Sequence, residues 1–232
     1  LIANGVMVFG EHRKDHAPMG IFCANGQCSQ CMVFADQVPV KSCMTPVKEG
    51  MQVEPLIGLP VLPDGNPLTK VQNITKITCQ ALIIGGGPAG MSAANQLGQL
   101  GISTLLVDDK DHLGGKLVLQ THRFFGSVDA VYAGTRGIDI AKILTSEVEE
   151  HRSVDIWLNS TALSVFSDQY VGVYKNNHEY VLIKPDILIV ASGAREKALA
   201  FNGNTLPGVY GAGAFQTLVN RDLVKPCKRL FI

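Results

Sequence analysis

Apolar residues fall along this chain in two rhythms. Ala81, Leu82, Ile83 and Ile84 are consecutive, as are Ile187, Leu188, Ile189 and Val190. Neither run alternates with polar residues, so each predicts a strand covered on both faces, as in a parallel sheet. Between them, Ala89, Ala93, Leu97 and Leu100 recur at helical spacing, with Pro88 in the first turn and Gly101 as the stop. Residues 103–107 predict the next buried strand, giving strand, glycine-rich turn, helix, strand. Ala141, Leu144 and Val148 predict a second amphipathic helix. Short strands are expected over 162–166, 170–174 and 180–184, with Asn176 and Asn177 as a hairpin turn between the last two. The first part of the chain offers one strand, 32–35. No internal repeat is present.

Pro60, Pro63, Asp64, Gly65, Asn66 and Pro67 interrupt the pattern and predict a linker. The chain therefore divides into residues 1–55, a linker at 56–78, and residues 79–232. The opening LIANGV reads as the tail of a helix, and residues 228–232 as the first half of a buried strand. Both ends thus read as interior to a longer protein.

Composition narrows the function classes. Of 232 residues, 46% are hydrophobic and 17% charged, which is globular. Twenty Lys and Arg balance twenty Asp and Glu, so the basic footprint of a nucleic-acid binder is absent. No apolar run reaches the ~18 residues of a membrane helix, and no secretory signal is visible.

Six cysteines are distributed unevenly: 23, 28, 31 and 43, then 79 and 227. Such a local cluster favours a metal or iron-sulfur site in a reducing, cytoplasmic setting over a disulfide framework. The spacing is C-x4-C-x2-C-x11-C. Three thiolates on one loop and a fourth from a neighbouring segment suit a 2Fe-2S cluster, and C-x4-C-x2-C is the plant-type ferredoxin spacing. Zinc sites more often pair two separated C-x2-C knuckles, and zinc stays as the alternative. Gly20 and Gly26 supply freedom for a loop around an inorganic core. Cys79 and Cys227 read as small buried hydrophobes.

Gly85, Gly87 and Gly90 form G-x-G-x-x-G after a strand and into a helix, and Asp108 ends the next strand 18 positions beyond Gly90. This is the full dinucleotide-binding context. Gly85 turns the chain, Gly87 admits a pyrophosphate, Gly90 lets helix meet strand, and Asp108 accepts from a ribose hydroxyl. The fingerprint alone does not separate FAD from NAD, nor from ATP or ADP on a non-catalytic scaffold.

FCANGQCSQCMV and KSCMTPVKEGM resemble the ferredoxin-like module in large subunits of sarcosine oxidase, proline dehydrogenase and hydrogen cyanide synthase. LGGK at 113–116, ASGA at 191–194 and LPGVYGAGAFQTLVN resemble the FAD-dependent part of the same subunits. The resemblance implies a partial β-grasp ferredoxin-like module followed by a Rossmann-like FAD domain of the two-dinucleotide-binding type. It implies FAD contacts at Pro88, Ala89, Asp109, Gly114, Gly115, Lys116, Ala162, Ser192 and Gly193, besides Gly85, Gly87, Gly90 and Asp108. Cluster ligation would fall to Cys23, Cys28, Cys31 and Cys43. NAD(P) would belong to a second dinucleotide domain, opening near residues 228–232. The implied activity is amine or amino-acid oxidation within a hetero-oligomeric dehydrogenase. This chain would either oxidise the donor or relay electrons for a partner subunit, and an NAD(P)H-oxidising, diaphorase-like role is the alternative.

The chain departs from thiol-disulfide reductases, because residues 116–122 hold no cysteine pair. His122 and Arg123 suggest catalysis, but packing is the simpler role. Arg136 reads as a solvated charge and Trp157 as core. No catalytic side chain is assigned.

Overall fold

The computed structural model describes residues 1–60 and 73–232, so the centre of the expected linker lies outside the described residues. The chain forms two compact units, Leu1–Thr69 with Arg195–Ile232, and Lys70–Ala194. In the first unit Ala214 and Leu218 bury against Phe9, Ile21 and Ala24. The linker is shorter at both edges than expected, since strands occupy Val53–Ile57 and begin again at Thr75.

Unit 1 holds strands β1 (Gly10–Glu11), β2 (Pro18–Met19), β3 (Met32–Ala35), β4 (Val38–Lys41) and β5 (Val53–Ile57). Their order is β2-β1-β5-β3-β4, with β1 and β5 parallel and the other neighbours antiparallel, a β-grasp sheet. β3 forms where expected. Val33 and Ala35 are buried while Met32 and Phe34 are half-exposed, the alternation of a one-sided strand. Asp36 and Gln37, with φ 50 and 68, make the two-residue turn into β4. The helix tail expected at the start is a 3-10 turn, Ile2–Asn4, ended by Gly5 at φ 81. The strand expected at 228–232 does not form, and Phe231 and Ile232 are fully exposed.

Unit 2 holds β6 (Thr75–Ile84), α1 (Pro88–Gln99), β7 (Thr104–Val107), α2 (Val128–Val131), α3 (Gly137–Glu149), β8 (Val154–Trp157), β9 (Thr161–Val165), β10 (Val171–Lys175) and β11 (Glu179–Val190). The sheet order is β8-β7-β6-β11-β10-β9. The first four strands are parallel and the last three form an antiparallel meander. Each apolar run serves two faces. Ile83 and Leu106 pack with α1 and α3, while Leu82, Leu105 and Val107 pack with Val171, Val173 and Val181.

Two expectations shift. The buried side of α1 is Gly90, Met91 and Ala94, with Ala93 and Leu97 packed beside them, whereas Ala89 and Leu100 face outward. The runs at 180–184 and 187–190 are one strand, continuous through Pro185. Proline is tolerated because the β10 pairing ends at Val171 and Ile183, so its missing N–H leaves no bond unmade on that side. Asn176 and Asn177 do form the hairpin turn, at φ 51 and 52.

Leu106 is fully buried at the centre of the helix-side core. Leu106→Ala should cost about 2–5 kcal/mol. Urea unfolding followed by Trp157, the chain's single tryptophan, should show a lower midpoint at unchanged slope.

Candidate functional site

In unit 1, Cys23, Cys28 and Cys31 lie on the loop from β2 to β3, and Cys43 on the 3-10 turn Ser42–Met44 that follows β4. The hairpin explains the x11 interval. Two four-residue strands, a two-residue turn and Ser42 bring Cys43 back beside Cys31. Met32 pairs with Lys41, and the Ser42 amide donates to the Cys31 carbonyl at 3.0 Å. The Cys31 Sγ then stands 3.5 Å from the Cys43 Sγ. The Asn25 amide donates to the Cys23 Sγ at 3.4 Å, and the Gly26 amide to the Cys43 Sγ at 3.3 Å.

These thiols titrate as a set. Hydrogen bonding with Cys43 holds the Cys23 thiol down at about 4. It does the same to Cys31, at about 6. Cys43 itself is pushed far up by hydrogen bonding with Cys23 and Cys31, and burial raises Cys28. The set yields its first protons well below the ordinary thiol range, and thiolate is the form that binds metal. Among the described residues no group of three or more His, Cys, Asp or Glu could hold a single metal ion as the side chains stand. The fit to a 2Fe-2S cluster rests instead on the donor set: four thiols on adjoining segments and amides aimed at two sulfurs. That set fits.

In unit 2, three motifs converge at one end of the parallel strands. Gly85 turns the chain at φ 110, and a Cβ there would strike the Ala191 carbonyl. The Ala191 amide donates to the Ile84 carbonyl at 2.8 Å, tying ASGA to the turn. The Gly114 amide donates to the Gly86 carbonyl at 2.8 Å, and a Cβ on Gly115 would stand 2.8 Å from the Gly87 Cα. LGGK is thereby laid against the turn. A Cβ on Gly90 would collide with the Gly85 carbonyl, so the helix can approach only without a side chain. At Gly87 a Cβ would meet no protein atom nearer than 3.9 Å. Protein packing thus leaves open the space that a pyrophosphate would need. No side chain caps α1, whose first amides stay available beside that space.

Asp108 follows β7. Its Oδ2 accepts from the Gly86 amide at 2.6 Å and its Oδ1 from the Lys110 amide at 2.9 Å. An ionised carboxylate has about four lone-pair positions, so acceptor capacity is left for a ribose hydroxyl. Gly86 was not among the expected site residues. Its amide holds Asp108, and a Cβ on it would strike Leu113. The signal for it was its place as the middle of three consecutive glycines. These residues fit the adenosine and pyrophosphate part of a dinucleotide.

The remaining expected contacts divide. Pro88 and Ala89 are exposed on the first turn of α1, Lys116 on the 3-10 turn Gly115–Leu119, and Ser192 and Gly193 beyond β11. Asp109 is exposed and pairs with Lys110 at 2.8 Å. Ala162 sits in β9 opposite Val173 and packs on the core of Leu82 and Leu105. Nothing here ties it to the turn. His122 stacks on Phe124, and Arg123 donates to the Gly134 carbonyl at 2.8 Å. Arg136 pairs with Asp139. Trp157 is half-buried with the Lys175 ammonium 4.0 Å from its ring centroid. Cys79 packs on the same core as Ala162, and burial, then the Asp186 carboxylate, push its thiol up to about 11. Cys227 is half-buried.

A four-thiol β-grasp unit and a glycine-turn α/β unit on one chain define an oxidoreductase of the iron-sulfur flavoprotein class. Residues 1–56 match the 2Fe-2S iron-sulfur cluster binding domain, and residues 79–225 match the pyridine nucleotide-disulphide oxidoreductase family, to which the chain belongs. Its cofactors are FAD and a 2Fe-2S cluster. It is 31% identical over 146 residues to hydrogen cyanide synthase subunit HcnB of Pseudomonas protegens, covering 62% of this chain and 31% of that one. It is 24% identical over 247 residues to sarcosine oxidase subunit alpha of a Corynebacterium species, covering 100% of this chain and 26% of that one. Among solved structures, L-proline dehydrogenase from P. horikoshii shares the fold, with a TM-score of 0.80, 23% identity, and coverage of 97% of this chain and 43% of that one. The chain spans less than a third of the length of these curated relatives. Among the described residues no helix is long and apolar enough to cross a membrane.

The two inner glycines should separate in mutagenesis. Gly87 has extended backbone, φ −75 and ψ −176, which valine adopts readily. Gly87→Val should cost the fold less than about 1 kcal/mol and abolish FAD retention. Gly90→Ala should cost about 1–3 kcal/mol by overpacking. Flavin content and unfolding midpoint, measured together, check both.

Proposed function

We propose that this chain belongs to an amine or amino-acid dehydrogenase and carries its electrons from FAD to a 2Fe-2S cluster. The observation that carries the reading is the presence, on one chain, of four thiols on adjoining segments with backbone amides at two of their sulfurs and a glycine turn held open at Gly87. When bound, FAD accepts two electrons as a hydride equivalent and the cluster passes electrons singly.

In this reading Cys23, Cys28, Cys31 and Cys43 ligate the cluster. The Asn25 and Gly26 amides lower the cost of its negative charge. Gly85, Gly87 and Gly90 admit the pyrophosphate to the start of α1, and Asp108 receives the ribose hydroxyl. Gly114, Gly115 and Lys116 border the same turn. The relatives named as subunits of hydrogen cyanide synthase and sarcosine oxidase support a place beside partner subunits. The donor would be a small amine or amino acid, oxidised either here or on such a partner.

Anaerobically purified protein should carry about two iron and two sulfide per chain. Proline or sarcosine should bleach the flavin, and NADH should not. Stoichiometric zinc without sulfide would overturn the cluster assignment. Bleaching by NADH alone would replace the dehydrogenase reading with a diaphorase one.

A further inference from the structure

We infer that Lys41 is a positioning residue for the cluster, gripping the Cys23–Cys28 loop and raising the potential at which the cluster is reduced. The inference rests on the 2Fe-2S reading of the four cysteines. Lys41 ends β4, two residues before Cys43, and pairs with Met32, the residue after Cys31. Its half-buried side chain reaches across to the loop, where Nζ donates to the Gly26 carbonyl at 2.7 Å. Gly26 is in the left-handed region, φ 74, and its own amide donates to the Cys43 Sγ at 3.3 Å. One ammonium therefore holds the residue whose N–H points at a ligand sulfur. The Lys41 carbonyl is fixed in turn by the Thr45 hydroxyl at 2.9 Å. A clamp of this kind joins the two segments that supply the ligands, so it should slow their separation when metal is challenged.

The charge matters separately. Among the described residues no carboxylate forms an ion pair with Lys41. Reduction adds negative charge to the cluster, and an uncompensated cation linked through Gly26 to a ligand sulfur favours that state. Arg221 offers the internal contrast. It reaches the Ala24 carbonyl of the same loop at 3.4 Å, but its guanidinium is paired with Asp222 at 2.6 Å. Its long bond and neutralised charge predict little influence.

The test compares Lys41→Met, Lys41→Gln, Lys41→Arg and Arg221→Met in the purified protein with its partner subunits. Iron and sulfide content, loss of visible absorbance to a chelator, and a reductive titration followed by EPR are measured for each. Lys41→Met should lose its cluster several-fold faster and be reduced at a more negative potential. Lys41→Gln, which keeps an uncharged N–H donor on a shorter side chain, should hold the cluster longer than Lys41→Met but keep the negative shift. Lys41→Arg and Arg221→Met should stay near wild type. If Lys41→Met cannot hold a cluster while Lys41→Gln and Lys41→Arg can, the grip is supported. Wild-type retention and potential in Lys41→Met would overturn the inference, as would equal loss in all three Lys41 variants. Wild-type protein without iron and sulfide would overturn the cluster reading beneath it, a result distinct from either.

Discussion

Helix α1 meets the turn after strand β6 backbone to backbone, at the Gly90 Cα and the Gly85 carbonyl, with no room for a methyl group between them. The rest of the nucleotide site depends on that approach. It sets where α1 begins, and so where its uncapped amides point. It also fixes the turn whose second glycine reaches Asp108 and the LGGK segment. Main-chain atoms make most of these contacts. Such a site varies little in shape with side-chain motion, because peptide groups have few soft dihedrals.

The cysteine unit solves a different problem, bringing four mutually repelling thiolates together. Hydrogen bonding through the remaining protons is the solution visible here, between Cys43 and both Cys23 and Cys31. Metal binding must expel those protons, and low affinity for protons at two positions reduces the competition. Amides from Asn25 and Gly26 already face the sulfurs that would bear the charge. The two units thus prepare for their cofactors by opposite means, one by leaving space and the other by crowding acceptors.

Much of this was legible in the chain. Strand β3, the glycine turn, Asp108 and the return of Cys43 follow from alternation, spacing and punctuation. The face of α1 was not, because a helix that docks through glycine and alanine carries little hydrophobic signal where it is most buried. Strand β11 was read as two strands because Pro185 ordinarily ends one, and only the limit of the β10 pairing shows why it does not. Gly86 was hidden in an unconstrained position of the motif. The burial of Ala214 and Leu218 in the first unit is long-range, and no local pattern announces it. At 228–232 an apolar run suggested a strand, but such a run specifies one only when a neighbour accepts its ladder.

The β3–β4 hairpin also acts as a ruler. Every residue between Cys31 and Cys43 is accounted for by paired strands, a minimal turn and Ser42. One residue added to either strand would invert the side-chain parity beyond it and turn Cys43 to the opposite face. Residues added at the turn would leave parity intact, since the pairs below are unchanged. Length variation in this loop should therefore be permitted at its tip and forbidden along its arms. The tip is also the place where the module can acquire new surface without disturbing its metal chemistry.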